Sequence, residues 1–137
     1  MGKVHIHKAA GILIKDGKLL VSKSKNKEFF IAPGGKVEKG ETMEEALVRE
    51  LEEEFGIQVD ESGFEKYGDF YDEAAGHPGI QLHMQAFIVK FWEGVPKPSS
   101  EIEEIRWIAS DIPKNMKVGS IFEHQIIPRL KQEGLID

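Results

Sequence analysis

The sequence contains no cysteine, which excludes disulfide bonds, thiolate nucleophiles and cysteine-ligated zinc or iron–sulfur centres. The longest apolar run near the N-terminus, residues 9–14, is too short for a membrane span or a secretory signal. Basic residues are outnumbered, with 18 Lys and Arg against 24 Asp and Glu, and a net charge of −6 argues against general coating of nucleic acids. We therefore expect neither a membrane nor a nucleic-acid polymer as partner, and the cytosol as the default compartment.

The composition that remains is typical of one folded domain. The chain has 137 residues, of which 40% are hydrophobic and 31% charged, so it can bury a core and is not disordered. It has no internal repeat and no low-complexity stretch. We predict a single domain over residues 1–137.

Alternating apolar residues and turn signals predict β-strands at residues 4–15, 18–24, 29–31, 64–71, 81–92 and 102–108. The first two should pair as a hairpin around the tight turn Asp16-Gly17. The segment 93–100 contains two prolines and should form a loop before the last strand. Strands interleaved with helices predict an α/β (α+β) domain.

Capping residues predict a helix over residues 42–55. Thr42 is a suitable N-cap, Glu45 completes a capping box, and Gly56 ends the helix in a left-handed conformation. A C-terminal helix should begin at Ser120 with a second capping box. Pro128 should kink or break that helix one turn earlier, because proline clashes with the preceding turn.

The first predicted helix carries three glutamates on one surface. At about 100° per residue, Glu50, Glu53 and Glu54 fall in the same arc as Met43 and Ala46, which should pack. A run of glutamates is often only a solvated face, but carboxylates beside packed residues repel each other more strongly. Protons, an arginine or metal ions must neutralise them.

A glycine-containing segment, Pro33-Gly34-Gly35-Lys36, precedes this helix. Glycine has no Cβ, so its backbone can approach an anion closely. Carboxylate oxygens favour hard cations such as Mg²⁺ or Mn²⁺. Carboxylates beside a glycine segment and a lysine therefore indicate metal-assisted chemistry on a phosphate compound.

These residues resemble the Nudix box, G-x5-E-x7-R-E-U-x-E-E-x-G-U, where U is a bulky aliphatic residue. All nine fixed positions are filled within residues 35–57, by Gly35, Glu41, Arg49, Glu50, Leu51, Glu53, Glu54, Gly56 and Ile57. The order of predicted elements around the box is also similar to that of MutT-type Nudix proteins. The resemblance implies an α/β/α sandwich, with a mixed β-sheet between the box helix and a C-terminal helix.

The resemblance also implies a metal-dependent pyrophosphohydrolase, in which water attacks a nucleoside diphosphate linked to another group. Glu50 would be the general base or bridge the metals, and Arg49 would orient it. Glu53, Glu54 and the carbonyl of Gly34 would bind Mg²⁺, with Mn²⁺ as a substitute. Which glutamate is the base stays open, and Glu53 is also a catalytic candidate.

Further site residues follow less directly from the resemblance. Glu41 would bind metal through water or hold the junction between loop and helix. A distal carboxylate from a later loop would complete the metal site. Glu101 is preferred for its spacing from Trp107, Glu104 is the alternative, and either is equally compatible with plain surface charge.

Substrate contacts are expected beside the glycine segment. Lys36 and Gly35 would contact the phosphates, and Lys23 would do so unless it belongs to an ordinary solvated loop. The resemblance would allow His7 to touch the substrate from the first strand, but the pattern favours a surface or partly buried histidine. His77 lies in a segment, 76–79, that is compatible with a substrate-covering loop or a plain turn.

The substrate itself is not encoded in a readable signature. The small size favours a nucleoside triphosphate, including oxidised ones, cleaved to monophosphate and pyrophosphate. ADP-ribose or another nucleotide sugar, a dinucleoside polyphosphate and a coenzyme A derivative are the alternatives. A non-catalytic nucleotide sensor on the same fold is a further one, and a homodimer is a family expectation.

Overall fold

The computed structural model of the protein describes residues 4–73 and 79–137. Its strands there are β1 (Val4–Ile12), β2 (Ile14–Lys15), β3 (Lys18–Ser24), β4 (Gly34–Lys36), β5 (Phe64–Glu73), β6 (Ile80–Val89) and β7 (Ile102–Ile108). Its helical segments there are α1 (Met43–Phe55), a 3₁₀ turn (Glu61–Gly63), a π-helical turn (Phe122–Ile126) and α2 (Ile127–Gln132). None of the helices in these two ranges is long and apolar enough to cross a membrane.

The strands form two sheets. The larger has the order β4-β1-β6-β5 and is mixed, because β1 runs parallel to β6 and the other neighbours are antiparallel. The smaller is antiparallel, with the order β2-β3-β7. The expected mixed sheet is thus present, together with a second sheet that the sequence analysis did not predict.

The predicted pairing of residues 4–15 with 18–24 is wrong for most of its length. Only β2 pairs with β3, around the turn at Asp16-Gly17, where both residues have positive φ angles of 52° and 74°. β1 instead lies between β4 and β6. Burial explains this position, because β1 carries buried residues on both faces and only a central strand is covered on both.

The core is divided into two layers by the sheets. One layer joins Ala9, Leu20 and Phe87 to the apolar face of α1, including Leu47 and Leu51. The other layer lies on the opposite face and packs the strands against the C-terminal helix, as the list Ala10, Leu19, Ala86, Phe122, Ile126 and Leu130 illustrates. Successive strand residues therefore enter different layers, as the period of two requires. The α/β/α sandwich is confirmed.

Helix α1 is capped as predicted. The Thr42 side chain accepts a hydrogen bond from the Glu45 N–H at 3.0 Å, and the Glu45 carboxylate accepts one from the Thr42 N–H at 2.9 Å. Gly56 follows in the left-handed conformation, with φ of 67°. These caps fix where the helix begins and ends, and therefore which way its glutamates point.

The C-terminal helix begins at Ser120 as predicted, but without the predicted capping box. Ser120 forms no capping box: its hydroxyl donates to Asp72, and the Glu123 N–H bonds to the carbonyl of Gly119. Pro128 disturbs the helix as expected, because the turn before it is π-helical and the Ile127 N–H reaches back to Phe122. The wider turn makes room for the proline ring.

The predicted strand at residues 29–31 is not an element of either sheet. Phe30 makes an isolated bridge to Val118, and Ile31 makes one to Ser22. The segment thus links the smaller sheet to the C-terminal layer and precedes β4. Phe30 is buried in the core and Ile31 packs against it, whereas Phe29 is 45% exposed.

Candidate active site

Arg49 is the centre of the hydrogen-bond network at α1. Its Nε and Nη2 donate to the two carboxylate oxygens of Glu41, at 2.7 Å and 3.0 Å. Its Nη1 donates to Glu50 at 2.8 Å, and its Nη2 also reaches the carbonyl of Lys36 at 3.2 Å. One guanidinium therefore ties together the loop before the helix, strand β4 and a helix glutamate.

Glu41 acts at the junction between loop and helix. Besides the two bonds from Arg49, one of its oxygens accepts the Glu38 N–H at 2.9 Å. The hydrogen bonds from Arg49, followed by that backbone N–H, lower the pKa of Glu41 to about 2. This carboxylate is fully engaged in holding the loop, which favours the structural alternative over a metal ligand.

The two glycines of β4 are required by close contacts. A Cβ on Gly34 would lie 2.0 Å from the carbonyl oxygen of Ala9, and Gly34 has a φ of +139°. A Cβ on Gly35 would lie 2.7 Å from the carboxyl carbon of Glu50. Gly34 therefore allows β4 to pair with β1, and Gly35 leaves the space in which the Glu50 carboxylate packs.

The three helix glutamates differ in exposure and protonation. The Glu50 side chain is 12% exposed, whereas that of Glu53 is 58% exposed and lies 3.5 Å from Arg49. Burial, a hydrogen bond with Glu50 and the negative charges of Glu50 and Glu53 raise the pKa of Glu54 to about 8. Glu54 is therefore protonated at neutral pH, and this proton relieves the repulsion between the carboxylates.

The glutamates also lie at the unfavourable end of α1. Its last turn carries no basic residue, so Glu52, Glu53 and Glu54 face the negative end of the helix dipole. Carboxylates at this end destabilise the helix by some tenths of a kcal/mol each, up to about 1 kcal/mol. An arrangement with this cost indicates that the carboxylates serve a ligand and not the fold.

The donor set fits a hard divalent cation, because it consists of oxygen atoms. Among residues 4–73 and 79–137, no three acidic or histidine side chains are already arranged as a metal site. Arg49 draws Glu50 to its own side, and Glu53 turns to solvent. The protonated Glu54 beside Glu50 marks the place where a cation would replace a proton and draw these carboxylates together.

The loop before β7 is attached to the same turn of α1. The Ser99 hydroxyl donates to the carbonyl of Glu53 at 2.8 Å, and its N–H donates to that of Glu54 at 3.0 Å. Glu101 follows two residues later, and its side chain is exposed. Glu104 is instead engaged by Arg106, at 2.6 Å. These contacts support Glu101 as the distal carboxylate.

The three predicted substrate contacts, Lys36, Lys23 and His7, lie in different surroundings. Lys36 ends β4 and is exposed beside the glycines. Lys23 is paired with Glu103, so its charge is already neutralised. The Nδ1 of His7 lies 2.8 Å from the Nδ1 of His83 on β6, on the side of β1 away from β4. The backbone of Lys36 is therefore joined to α1 through its carbonyl and Arg49, while the Lys23 side chain pairs with Glu103 and the His7 ring contacts His83.

Two residues remain to be placed relative to the candidate site, His77 and Lys8. His77 lies outside the described residues. Lys8 was not selected, yet it lies directly opposite Lys36 in the pairing of β1 with β4. The only signal for Lys8 was a charged residue inside an apolar strand, and its meaning depends on a strand pairing that the sequence did not predict.

Comparison with known proteins agrees with this geometry. A family model described as the NUDIX domain matches residues 5–130. The 8-oxo-dGTP diphosphatase of Haemophilus influenzae is 37% identical over 101 residues, which cover 70% of this chain and 71% of that protein. The solution structure of the E. coli ORF135 protein matches with a TM-score of 0.75 at 25% identity, covering 96% of this chain and 94% of that one.

A further relative shares a shorter segment. The ADP-ribose pyrophosphatase of Methanocaldococcus jannaschii is 49% identical over 61 residues, which cover 40% of this chain and 36% of that protein. The chain thus spans only about a third of this relative's length. High identity over so short a segment indicates a shared site more than a shared substrate pocket.

Proposed function

The chain belongs to the Nudix family, and from that premise we propose that it is a divalent-cation-dependent pyrophosphohydrolase of nucleoside triphosphates. Each cycle would consume one water and release a nucleoside monophosphate and pyrophosphate. The observation that carries the proposal is the position of Glu50, which packs against Gly35 and accepts a hydrogen bond from Arg49 at 2.8 Å, with the carboxylate of Glu54 one turn further along α1. Such a pair is costly for the fold and suited to a cation.

The residues of this chain have distinct roles in the proposed reaction. Arg49 positions Glu50, which accepts the proton of the attacking water. Glu53, Glu54, the carbonyl of Gly34 and Glu101 hold the cation, with Mg²⁺ the expected ion and Mn²⁺ a substitute. When bound, the cation would screen the carboxylates from the polyphosphate and acidify the attacking water.

The bond changes are balanced. A new phosphorus–oxygen bond forms to the water oxygen, and the bond between phosphorus and the bridging anhydride oxygen breaks. One proton of the water passes to the carboxylate of Glu50. The anhydride oxygen stays with the displaced group, which is pyrophosphate for attack on the α-phosphorus and the monophosphate for attack on the β-phosphorus, and neither case needs an oxidant or a second substrate.

The choice of a nucleoside triphosphate rests on the longer of the two sequence relationships. The Haemophilus influenzae protein, named for 8-oxo-dGTP, aligns with 70% of this chain, far beyond the box itself. The relative named for ADP-ribose aligns with 40%. ADP-ribose hydrolysis is the second candidate function, because the identity of 49% in that segment is the higher value.

A product assay tests this proposal. The full chain is incubated in Mg²⁺, and separately in Mn²⁺, with canonical and oxidised nucleoside triphosphates, ADP-ribose, other nucleotide sugars and dinucleoside polyphosphates, and products are separated by chromatography. We expect monophosphate and pyrophosphate from a triphosphate, and ¹⁸O from labelled water in one of the two products.

The alternatives give different products. AMP and ribose phosphate from ADP-ribose, with triphosphates left intact, would establish the second candidate. Tight nucleotide binding without turnover in either metal would contradict hydrolysis and support a sensor. Equal turnover with and without excess chelator would contradict the role of the cation.

A further inference from the structure

Two lysines lie directly opposite each other where β1 meets β4. The register of this antiparallel pair places Lys8 against Lys36, so both side chains leave the sheet on the same face. Like charges in this position repel and destabilise a sheet. Within residues 4–73 and 79–137, neither lysine takes part in an ion pair that would offset this repulsion.

Lys8 is also an unusual residue for its strand. β1 is an inner strand of the larger sheet, and the next two residues, Ala9 and Ala10, are 1% and 2% exposed. Lys8 itself is half-buried. Lysine is seldom buried without a partner, because removing its ammonium from water is costly. A half-buried lysine opposite another lysine is therefore suited to binding an anion.

Charged groups of both signs influence the Lys8 ammonium. Burial, Lys36 and Lys27 lower the pKa of Lys8, while Glu54 and Glu50 act in the opposite direction. Charges of both signs thus act on Lys8, and an anion beside Lys8 and Lys36 would relieve the repulsion between their ammonium groups.

The backbone connects Lys8 to the candidate active site independently of these charges. Gly35, against which the Glu50 carboxylate packs, is paired with Ala9, the residue after Lys8. The carbonyl of Lys36 is held by Arg49 at 3.2 Å. The lysine pair is one residue along this ladder, so its side chains leave the sheet on the opposite face from the contact between Gly35 and Glu50, and the two faces meet at β4, the edge strand.

We propose that Lys8 is a substrate-binding residue whose ammonium, together with that of Lys36, binds the phosphate chain at the β4 edge of the larger sheet, the strand whose other face packs against Glu50. This inference rests on the proposed function, because it assigns the phosphate subsite of the same site. A triphosphate carries enough negative charge to neutralise both lysines. Removal of the Lys8 charge should therefore weaken binding of the phosphate chain more than it slows the chemical step.

The test compares Lys8→Met, which keeps an apolar side chain of similar length, with Lys15→Met at an exposed position on β2. Two quantities are measured on the full chain. The first is KM and kcat for the preferred triphosphate in Mg²⁺. The second is the Kd for inorganic tripolyphosphate in Ca²⁺, by calorimetry. Thermal unfolding is followed for every variant, with Lys8→Gln as a second neutral variant and Lys8→Arg as the charge-conserving one.

We expect Lys8→Met to raise KM and the tripolyphosphate Kd by about tenfold or more, with kcat within about threefold of wild type. Lys8→Arg and Lys15→Met should leave both constants within about threefold. The proposal is overturned if KM and the tripolyphosphate Kd are unchanged in both Lys8→Met and Lys8→Gln. It is also overturned if only kcat falls in these variants, or if the wild-type protein does not bind tripolyphosphate. If all Lys8 variants, including Lys8→Arg, have a lower melting temperature but unchanged binding constants, Lys8 has a structural role and the proposal is overturned as well.

The calorimetric arm separates this inference from the proposed function. If the wild type hydrolyses no triphosphate but binds tripolyphosphate through Lys8, hydrolysis fails and the phosphate subsite stands. If turnover is present and indifferent to the Lys8 charge, the subsite fails and hydrolysis stands.

Discussion

Arg49 binds the carboxylate of Glu41 through two nitrogens, Nε to Oε2 at 2.7 Å and Nη2 to Oε1 at 3.0 Å. Glu41 precedes α1 and Arg49 lies in its middle, so this bidentate pair locks the entering loop onto the helix. The remaining nitrogen of the guanidinium, Nη1, donates to Glu50 at 2.8 Å. The position of the proposed base thus depends on an ion pair that has no part in the chemistry itself.

Arg49→Lys should impair turnover while the fold survives. Lysine keeps the charge but has a single nitrogen, so it cannot bind Glu41 bidentately and also hold Glu50. We expect kcat to fall by about 10²-fold, the scale associated with misplacing a reacting group by about 1 Å. Arg106→Lys is the matched control, since Arg106 pairs with Glu104 at a half-exposed position. Steady-state kinetics of both variants, with circular dichroism, test this; equal kcat values would contradict it.

Glu41 should contribute to stability in a pH window set by its lowered pKa. Its pKa in the folded state is about 2, below the value of about 4.3 in an unfolded chain. The stabilisation is therefore present above about pH 4.3 and is lost as the pH falls toward 2. We expect Glu41→Gln to lower the melting temperature at pH 7, and the difference from wild type to shrink as the pH falls through this window. A melting-temperature difference between Glu41→Gln and wild type that stays constant down to pH 2 would contradict this role of Glu41.

Glu54 should have the opposite effect on the metal-free protein. Its pKa of about 8 is raised above the unfolded value, so the folded state holds the proton more tightly. Its contribution is complete below about pH 4.3 and is lost as the pH rises through 8. In chelator, the melting temperature should fall between pH 5 and pH 9 in wild type and in Glu52→Gln, whose side chain is exposed. Glu54→Gln should remove most of this dependence, and an unchanged slope would contradict the assignment.

Binding of the cation should reverse that trend. Since the cation replaces the proton on Glu54, the affinity for Mg²⁺ should increase as the pH rises from 6 to 9, with proton release on binding. Calorimetry in two buffers of different ionisation enthalpy measures the protons released. Affinity that is independent of pH, with no proton release, would place the cation elsewhere.

The two glycines of β4 should fail in different ways when replaced by alanine. In Gly35→Ala the new Cβ meets the carboxyl group of Glu50, which can turn away, so the fold should survive with turnover reduced at least tenfold. In Gly34→Ala the Cβ meets the backbone of Ala9 and φ is unfavourable, so stability should fall by about 1–3 kcal/mol. Denaturant melts and kinetics distinguish them, and the reverse pattern would contradict the contacts described.

Glu101 and Glu104 give a test of the distal carboxylate. Ser99 attaches the loop to the turn of α1 that carries Glu53 and Glu54, and Glu101 is two residues away. We expect Glu101→Gln to raise the Mg²⁺ concentration needed for half-maximal rate by about tenfold. Glu104→Gln is the matched control and should leave it within about twofold, because that side chain pairs with Arg106. The opposite ranking would assign the role to Glu104.

The parts of the fold that could be predicted from sequence are those specified locally. The bounds of α1 follow from Thr42, Glu45 and Gly56, and each of their hydrogen bonds is formed. The turn at Asp16-Gly17 is equally local. The disturbance before Pro128 follows from the covalent structure of proline alone.

Other features depend on contacts between distant segments. β1 pairs with β6, about seventy residues later, and no local pattern distinguishes that partner from the nearby β3. Ser120 forms no capping box because Asp72, far away in sequence, takes its hydroxyl. Lys23 is withdrawn from the glycine segment by Glu103 for the same reason.

The candidate site was more predictable than the sheet that supports it. Helix geometry places Glu50 and Glu54 together once the helix is known, so their proximity could be derived from sequence. The opposition of Lys8 and Lys36 could not, because it requires the register of β1 and β4. The relative positions of residues within one element could therefore be derived from sequence, while those that depend on pairing between elements could not.

The most direct measurement is the turnover of the preferred nucleoside triphosphate in Mg²⁺ by wild type, Glu54→Gln and Glu52→Gln. The two variants differ by two positions on α1, one half-buried beside Glu50 and the other exposed. Our account predicts that Glu54→Gln loses activity by at least about 10²-fold with its fold intact, because a carboxylate ligand is lost. Glu52→Gln should match wild type. Full activity in Glu54→Gln, or an equal loss in both variants, would contradict the assignment of this helix face to metal-dependent hydrolysis.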